Sequence, residues 1–472
     1  VDGELLPDRV PPGGLSGLPG ATFGRADFPD TNFDFFPFCG IERPVLIYTE
    51  PFEAINDLTV TTTIEGLSGR VRVKMVHAPG ENLSARVTLI GHGTERAVEV
   101  DLPGESAKAV LTVPQAALWS PETPALYDLR VELRRADTTI DRYTLPVGIR
   151  TISVDGDRLL LNGQPIKLLG FGRHEDFPVV GKGMLPALIV KDYALLRWVG
   201  ANSFRTTHYP YSEQMMDLAD RLGFMVIDET PAVGLYFLED GLDKRNWLCH
   251  QMIREMIYRD NNHPSFIMWS LANEPHTARP DARPAYYQDL TIDEHPSRPE
   301  AVASFKAMAD LAHRLDPTRP VTLVSHEGAL EESFEFMDVV CLNRYYGWYM
   351  QSGQIEAGLD RLSDEIDLLH RLYPKPFILS EFGADTIPGH HAEPPEMFSE
   401  EYQVEILSRT MDRIDAKPFV VGQHVWNLCD FKTSQGVIRM GATNYKGVFT
   451  RDRRPKAAAH YLRARWHGED GG

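Results

Sequence analysis

At 472 residues the chain is too long for one ordinary hydrophobic core, so two or three domains are expected. Its 43% hydrophobic and 24% charged residues are ordinary globular values, and no apolar run reaches membrane-spanning length. A formal charge of −19 with no basic stripe argues against a nucleic-acid partner and requires any anionic ligand to be held by local cations.

The N-terminus, VDGELLPDRVPPGG, has neither the basic nor the apolar region of a signal peptide, so none is read there, and cytoplasmic and secreted locations both stay open. Residues 1–50 are rich in Pro and Gly and then aromatic (TNFDFFPFCGIERPVLIYTEP), too little pattern for a domain of their own. Over 51–149 short alternating stretches such as Val71–Met75, Val98–Leu102 and Tyr127–Leu133, punctuated by Gly and Pro, predict one immunoglobulin-like β-sandwich. Cys39, Cys249, Cys341 and Cys429 show no CxxC spacing and are read as buried free thiols. Asn82-Leu83-Ser84 is a glycosylation sequon should the chain be secreted.

From 150 to 472 apolar strands alternate with amphipathic segments. The predicted strands are Ile166–Gly170, Ala201–Arg205, Met225–Asp228, Ile267–Leu271, Val321–Val324, Val339–Leu342, Phe377–Leu379 and Val421–Trp426, with helices over Tyr193–Val199, Gln214–Leu222 and Phe305–Leu315 between them. Eight strand-plus-helix units predict a (β/α)8 TIM barrel. A doubly wound open sheet is the alternative, weakened because no glycine-rich phosphate loop follows the first strand.

In a barrel the residues at the C-terminal strand ends build the active site. Here those ends read Arg173-His174-Glu175-Asp176, Arg205 to Tyr209, Asp228-Glu229, Asn273-Glu274, His326-Glu327, Asn343-Arg344-Tyr345, Glu381 and Trp426-Asn427. Glu274 and Glu381 follow the fourth and seventh strands and face one mouth, a pairing that suits glycosidic cleavage with one carboxyl as acid. Their separation decides between retention and inversion, and sequence leaves that open. Metal chemistry has little support: no HxxxH or HxH pair adjoins a carboxylate, and His390-His391 is the only dense pair. No GxSxG elbow occurs for a serine nucleophile.

The stretches FGRHED, VGANSFRTTHYPY, DETPAVG, NHPSFIMWSLANEP, CLNRYYGWY, SEFGAD, VWNLCDFKTSQG and NYKGVFTRDRRPK are collinear, from about Pro11 to Trp466, with one family. The chain resembles the β-glucuronidases of glycoside hydrolase family 2, retaining enzymes with acid and nucleophile on barrel strands four and seven. The resemblance implies an order of jelly-roll, immunoglobulin-like and barrel domains, with 1–50 as the C-terminal remnant of the first, 51–149 as the second and 150–472 as the third. It implies Glu274 as general acid/base, Glu381 as nucleophile, Asn273 on the sugar 2-hydroxyl and Tyr345 beside the nucleophile. His174, Trp426 and Asp34 match sugar contacts. Asn444-Tyr445-Lys446 matches the family's NxK motif for the glucuronate carboxylate, completed by Tyr349 and Arg439. No cofactor is implied, and a homo-oligomer, dimer or tetramer, is.

Two departures stand out. Most of a jelly-roll domain has no counterpart in the first fifty residues, and the link from Gly234 to Asn246 is short while HTARPDARPAYYQDLTIDEHPSRPE after Glu274 is long. The aglycone side is therefore expected to differ from the family's. A related uronidase such as a β-galacturonidase, a β-galactosidase or β-mannosidase, and a non-hydrolytic carbohydrate-binding protein are the alternatives.

Overall fold

The computed structural model describes residues 3–13, 29, 31, 33–238, 240–278, 297–326 and 331–468. The first seven strands are β1 (Ile55–Glu65), β2 (Ser68–His77), β3 (Leu83–Gly91), β4 (Thr94–Asp101), β5 (Ser106–Val113), β6 (Tyr127–Arg135) and β7 (Thr138–Val147). They form two antiparallel sheets, ordered β1-β2-β5 and β4-β3-β6-β7. Val71, Val73, Val87, Leu89, Val131 and Leu133 point into one core between them, so the alternation read from sequence is the in-out alternation of a sandwich. Three short strands, β8 (Ile152–Asp155), β9 (Arg158–Leu161) and β10 (Gln164–Pro165), follow as a small antiparallel sheet.

The eight-stranded sheet is a closed parallel barrel of β11 (Leu168–Arg173), β12 (Ser203–Thr206), β13 (Met225–Glu229), β14 (Phe266–Asn273), β15 (Val321–Ser325), β16 (Val340–Asn343), β17 (Phe377–Glu381) and β18 (Val420–Val425), in that order, with β11 pairing back onto β18; a two-stranded sheet of β19 (Phe431–Lys432) and β20 (Thr443–Asn444) lies beyond it. The open-sheet alternative is thereby excluded. Barrel strands are buried on both faces, which is why they read as continuous apolar runs. Among the described residues seven α-helices surround them: α1 (Pro186–Val199), α2 (Glu213–Leu222), α3 (Leu242–Asp260), α4 (Pro299–Leu315), α5 (Ile355–Leu372), α6 (Glu400–Asp415) and α7 (Ala457–His467). Capping explains several limits. Pro186 opens α1 and Gly200, at φ 85°, closes it, while the Ser399 side chain caps α6 by accepting from the Tyr402 N–H.

Eight helical units are not seen among the described residues. Only residues 326–339 separate β15 from β16, and there a single 3₁₀ turn, Glu332–Phe336, replaces the fifth helix. One further expectation changes. Cys39 is an exposed free thiol, whereas the other three cysteines are buried. The described residues up to 50 contribute one isolated bridge, Gly13 to Thr31, and no strand. They lie against the barrel, where Pro7 accepts from Tyr236 (2.6 Å) and the Phe36 N–H donates to the Lys432 carbonyl (2.9 Å). Among the described residues no helix is long and apolar enough to cross a membrane.

Sandwich and barrel are joined by a buried arginine. Arg150 donates to the carbonyls of Pro264 (3.0 Å) and Phe266 (2.6 Å) at the start of β14, and the Asn262 amide reaches Leu58 in β1 (2.7 Å).

Candidate active site

Glu274 and Glu381 sit at the ends of β14 and β17, and the sheet brings them into one network. Register shifts between Ser270 and Asn273 in β14, and between Leu342 and Asn343 in β16, re-aim the strand tips just before the polar residues begin. Asn343 then donates its side-chain amide to Glu274 (2.8 Å) and to Asn273 (3.1 Å), while the Ser380 hydroxyl donates to the Asn343 side-chain oxygen Oδ1 (2.9 Å) and so fixes its orientation. Glu274 has φ 48°, a left-handed conformation uncommon for residues other than glycine, held by its N–H on the Val324 carbonyl at 2.8 Å.

Glu381 is buried and both its oxygens accept. Arg205 donates to one and the Tyr345 hydroxyl to the other (2.7 Å). Arg205 also donates to Glu229 at 2.7 and 2.9 Å and to Asn273 at 3.3 Å. His208 pairs with Glu229 at 2.7 Å and stands 3.8 Å from Glu381. Burial pushes the Glu381 carboxyl up to about 8, against the lowering pull of Arg205 and with the charge of Glu274 adding to the rise. Burial also opposes ionisation of Glu229, but Arg205 and His208 outweigh it and hold that carboxyl below its usual range. The Tyr345 phenol is driven well up by burial and by the two glutamates, so it remains a donor.

A wall of rings closes one side. Trp426 stacks on His208 (centroids 5.2 Å apart, 15° between planes) and meets His174 edge-on at 5.4 Å. Gly172 makes the room, since a Cβ there would stand 2.4 Å from the Trp426 ring. Burial and nearby cations hold the His174 imidazole far below its usual pKa, hence neutral. Its Nδ1 lies 3.2 Å from the Tyr209 hydroxyl, leaving its buried Nε2 with no partner in the described structure.

A second cluster lies at the loops after β16, β17 and β18. Lys446 donates to the Tyr349 hydroxyl (2.6 Å) and to Asp385 (2.6 Å), and Arg439 donates to the same hydroxyl (2.7 Å). Arg439 further grips Asp34 through Nε (2.8 and 3.0 Å), and Asn444 donates to that carboxylate at 2.9 Å. The N-terminal segment thus reaches the site through Asp34. The Asn444 side chain also accepts from the Lys446 N–H (3.1 Å), so the NxK spacing makes a local turn that places both side chains.

All eleven site residues read from sequence fall in or beside these clusters. In the sequence Arg205, Glu229 and His208 stand at strand ends, and Asp385 within SEFGAD, without a role; opposite charges on adjacent strand ends are the signal available. Other strand-end groups are scaffolding. Arg173 pairs with Asp192 in α1 (2.6 Å), Asp176 with Arg451 (2.6 Å), and Asp228 takes the Thr206 hydroxyl (3.0 Å). Glu327 and most of the long segment after Glu274 lie outside the described residues.

The family described as "Glycosyl hydrolases family 2, TIM barrel domain" matches residues 152–469, and "Glycosyl hydrolases family 2" matches 53–150. The chain is 42% identical over 451 residues to a β-glucuronidase of Paenibacillus borealis, covering 93% of this chain and 71% of that one. It is 40% identical over 482 residues to the human β-glucuronidase, covering 99% and 70%. Among solved structures, Bifidobacterium dentium β-glucuronidase complexed with coumarin-3-O-glucuronide superposes with a TM-score of 0.88 at 36% identity over 99% of this chain and 77% of that one. The β-glucuronidase of Ruminococcus gnavus in complex with D-glucuronic acid gives 0.81 at 35% identity over 93% and 72%. Barrel, sandwich and kinship agree that the chain belongs to glycosyl hydrolase family 2.

Proposed function

We propose that the chain is a retaining exo-β-glucuronidase that converts β-D-glucuronides to D-glucuronate and an alcohol without a cofactor. Glu381 attacks the anomeric carbon as the bond to the leaving oxygen breaks, and Glu274 gives that oxygen its proton. Glu274 then takes a proton from water, whose oxygen displaces Glu381 from the anomeric carbon and regenerates both groups. Asn273, which Arg205 and Asn343 hold, bonds the sugar 2-hydroxyl, and Tyr345, donating to Glu381, aims it. Trp426 offers the sugar an indole face, His174 a ring nitrogen and Asp34 a carboxylate for hydroxyls.

The observation that carries the choice of sugar is the convergence on Tyr349. Its hydroxyl accepts from both Lys446 and Arg439, so its own proton is left to donate. Two cations gathered on one hydroxyl in a strongly acidic chain suit a carboxylate at C6, where a neutral hexose has only a hydroxyl. Relatives bearing the β-glucuronidase name at about 40% identity, and a structural neighbour holding D-glucuronic acid, support the same reading.

The test is a panel of nitrophenyl β-glycosides (glucuronide, galacturonide, glucoside, galactoside and mannoside) with wild type and Lys446→Ala. Glucuronide is expected to be the best substrate, and Lys446→Ala to lower its kcat/KM far more than that for the glucoside. Equal losses on both would remove the carboxylate role, and binding of glucuronides with no turnover would point to a carbohydrate-binding protein instead.

A further inference from the structure

We infer that Asp385 is a specificity-determining positioning residue, the internal counter-ion that keeps Lys446 and the NxK loop aimed at a substrate carboxylate. The inference rests on the uronide reading above. Asp385 follows the nucleophile strand by four residues and is almost fully buried. One oxygen, Oδ2, takes Lys446 at 2.6 Å and Arg439 at 3.4 Å, and the other accepts the Tyr445 N–H at 2.9 Å. A single carboxylate therefore ties both cations and the middle residue of the motif to the loop after β17.

A lysine ammonium has three donors on a flexible four-carbon stem. Among the described residues two are committed, to Asp385 and Tyr349, which leaves the third to meet a ligand. Without Asp385 the stem regains its rotamers, and ordering it again weakens uronide binding. The two counter-ions differ in kind. Asp34, whose side chain is 45% exposed, holds Arg439 at the open side, whereas the Asp385 side chain is 3% exposed. An incoming carboxylate thus competes with Asp34 for Arg439 and leaves Asp385 in place. Burial opposes the charge on Asp385, but Lys446 and Arg439 prevail and keep its carboxyl below the usual range.

The experiment measures kcat and KM of wild type, Asp385→Asn and Asp385→Glu on nitrophenyl β-glucuronide and β-glucoside, with thermal midpoints. Asp385→Asn is expected to lower the glucuronide-to-glucoside ratio of kcat/KM at least tenfold, mainly through a higher KM for glucuronide, and Asp385→Glu to recover part of it. A wild-type ratio in a folded Asp385→Asn overturns the inference. So does an equal fall on both substrates alongside a lowered midpoint, the result of a merely structural role. A wild type that shows no preference for glucuronide overturns the functional reading, and this inference with it.

Discussion

Arg205 reaches Glu381 with one guanidinium nitrogen and Glu229 with the other, so the carboxylate at the end of β17 shares its cation with a second, fully buried acid. Both carboxyl groups, the guanidinium and His208 thus form one buried network. A planar fork can make this connection and an ammonium cannot. Arg205→Lys is expected to keep the fold and lower kcat about 10- to 100-fold, since the aim of Glu381 is lost while a cation remains. Arg205→Ala strands two buried carboxylates and is expected to cost about 3–5 kcal/mol in denaturant unfolding. A fully active Arg205→Ala would show that Glu381 is held by other groups.

The acid step needs a proton on the carboxyl pair, and the rise of Glu381 to about 8 belongs to the pair because the charge of Glu274 contributes to it. A raised carboxyl pKa means the proton is present below that value and lost above it. The kcat/KM for glucuronide is therefore expected to fall as pH rises through about 8, checked by a pH–rate profile in buffers of constant ionic strength. A profile still flat beyond about pH 9 would contradict the shared proton.

Gly172 and Trp426 touch so closely that a Cβ would stand 2.4 Å and 2.5 Å from two ring carbons. Gly172→Ala should push the indole out of its place against His208 and His174. A displacement of about 1 Å in such a wall costs on the order of 100-fold in kcat/KM. Steady-state kinetics beside a thermal melt checks this, and unchanged kinetics would mean that Trp426 does not position the sugar.

The two glutamates should also separate by leaving group. Nitrophenolate departs without help, whereas a simple alkyl alcohol needs a proton. Glu274→Gln is expected to lose alkyl glucuronide cleavage far more than the formation of the glycosyl intermediate from nitrophenyl glucuronide, read as a burst. Glu381→Gln should lose both by at least about a thousandfold. The opposite pattern would exchange the two roles.

Much of this site was legible because barrel strands are short, apolar on both faces and end in chemistry. FIMWSLANEP and PFILSEFG announce a buried strand and the carboxylate it delivers, and the observed β14 and β17 end at Asn273 and Glu381. What sequence left unread depends on contacts between distant segments. Asp385 lies 61 positions from Lys446, and no local spacing marks the two as partners. Asp34 meets Arg439 across 405 positions, from a segment without regular structure. Strand-end polarity also misleads, because alternate residues face opposite sides of the barrel wall. Glu229 faces Arg205, whereas its neighbour Asp228 takes the Thr206 hydroxyl outside that network. Between β15 and β16 the described residues form a 3₁₀ turn alone, in keeping with a short connection that hydrophobic periodicity does not register.

The most direct test is to follow wild-type hydrolysis of a nitrophenyl β-D-glucuronide by proton NMR and identify the anomer of glucuronate released first. Double displacement through Glu381 predicts β-glucuronate first, with the α-anomer growing in only by later mutarotation. Release of α-glucuronate first would contradict it, and would mean that water, not Glu381, attacks the anomeric carbon.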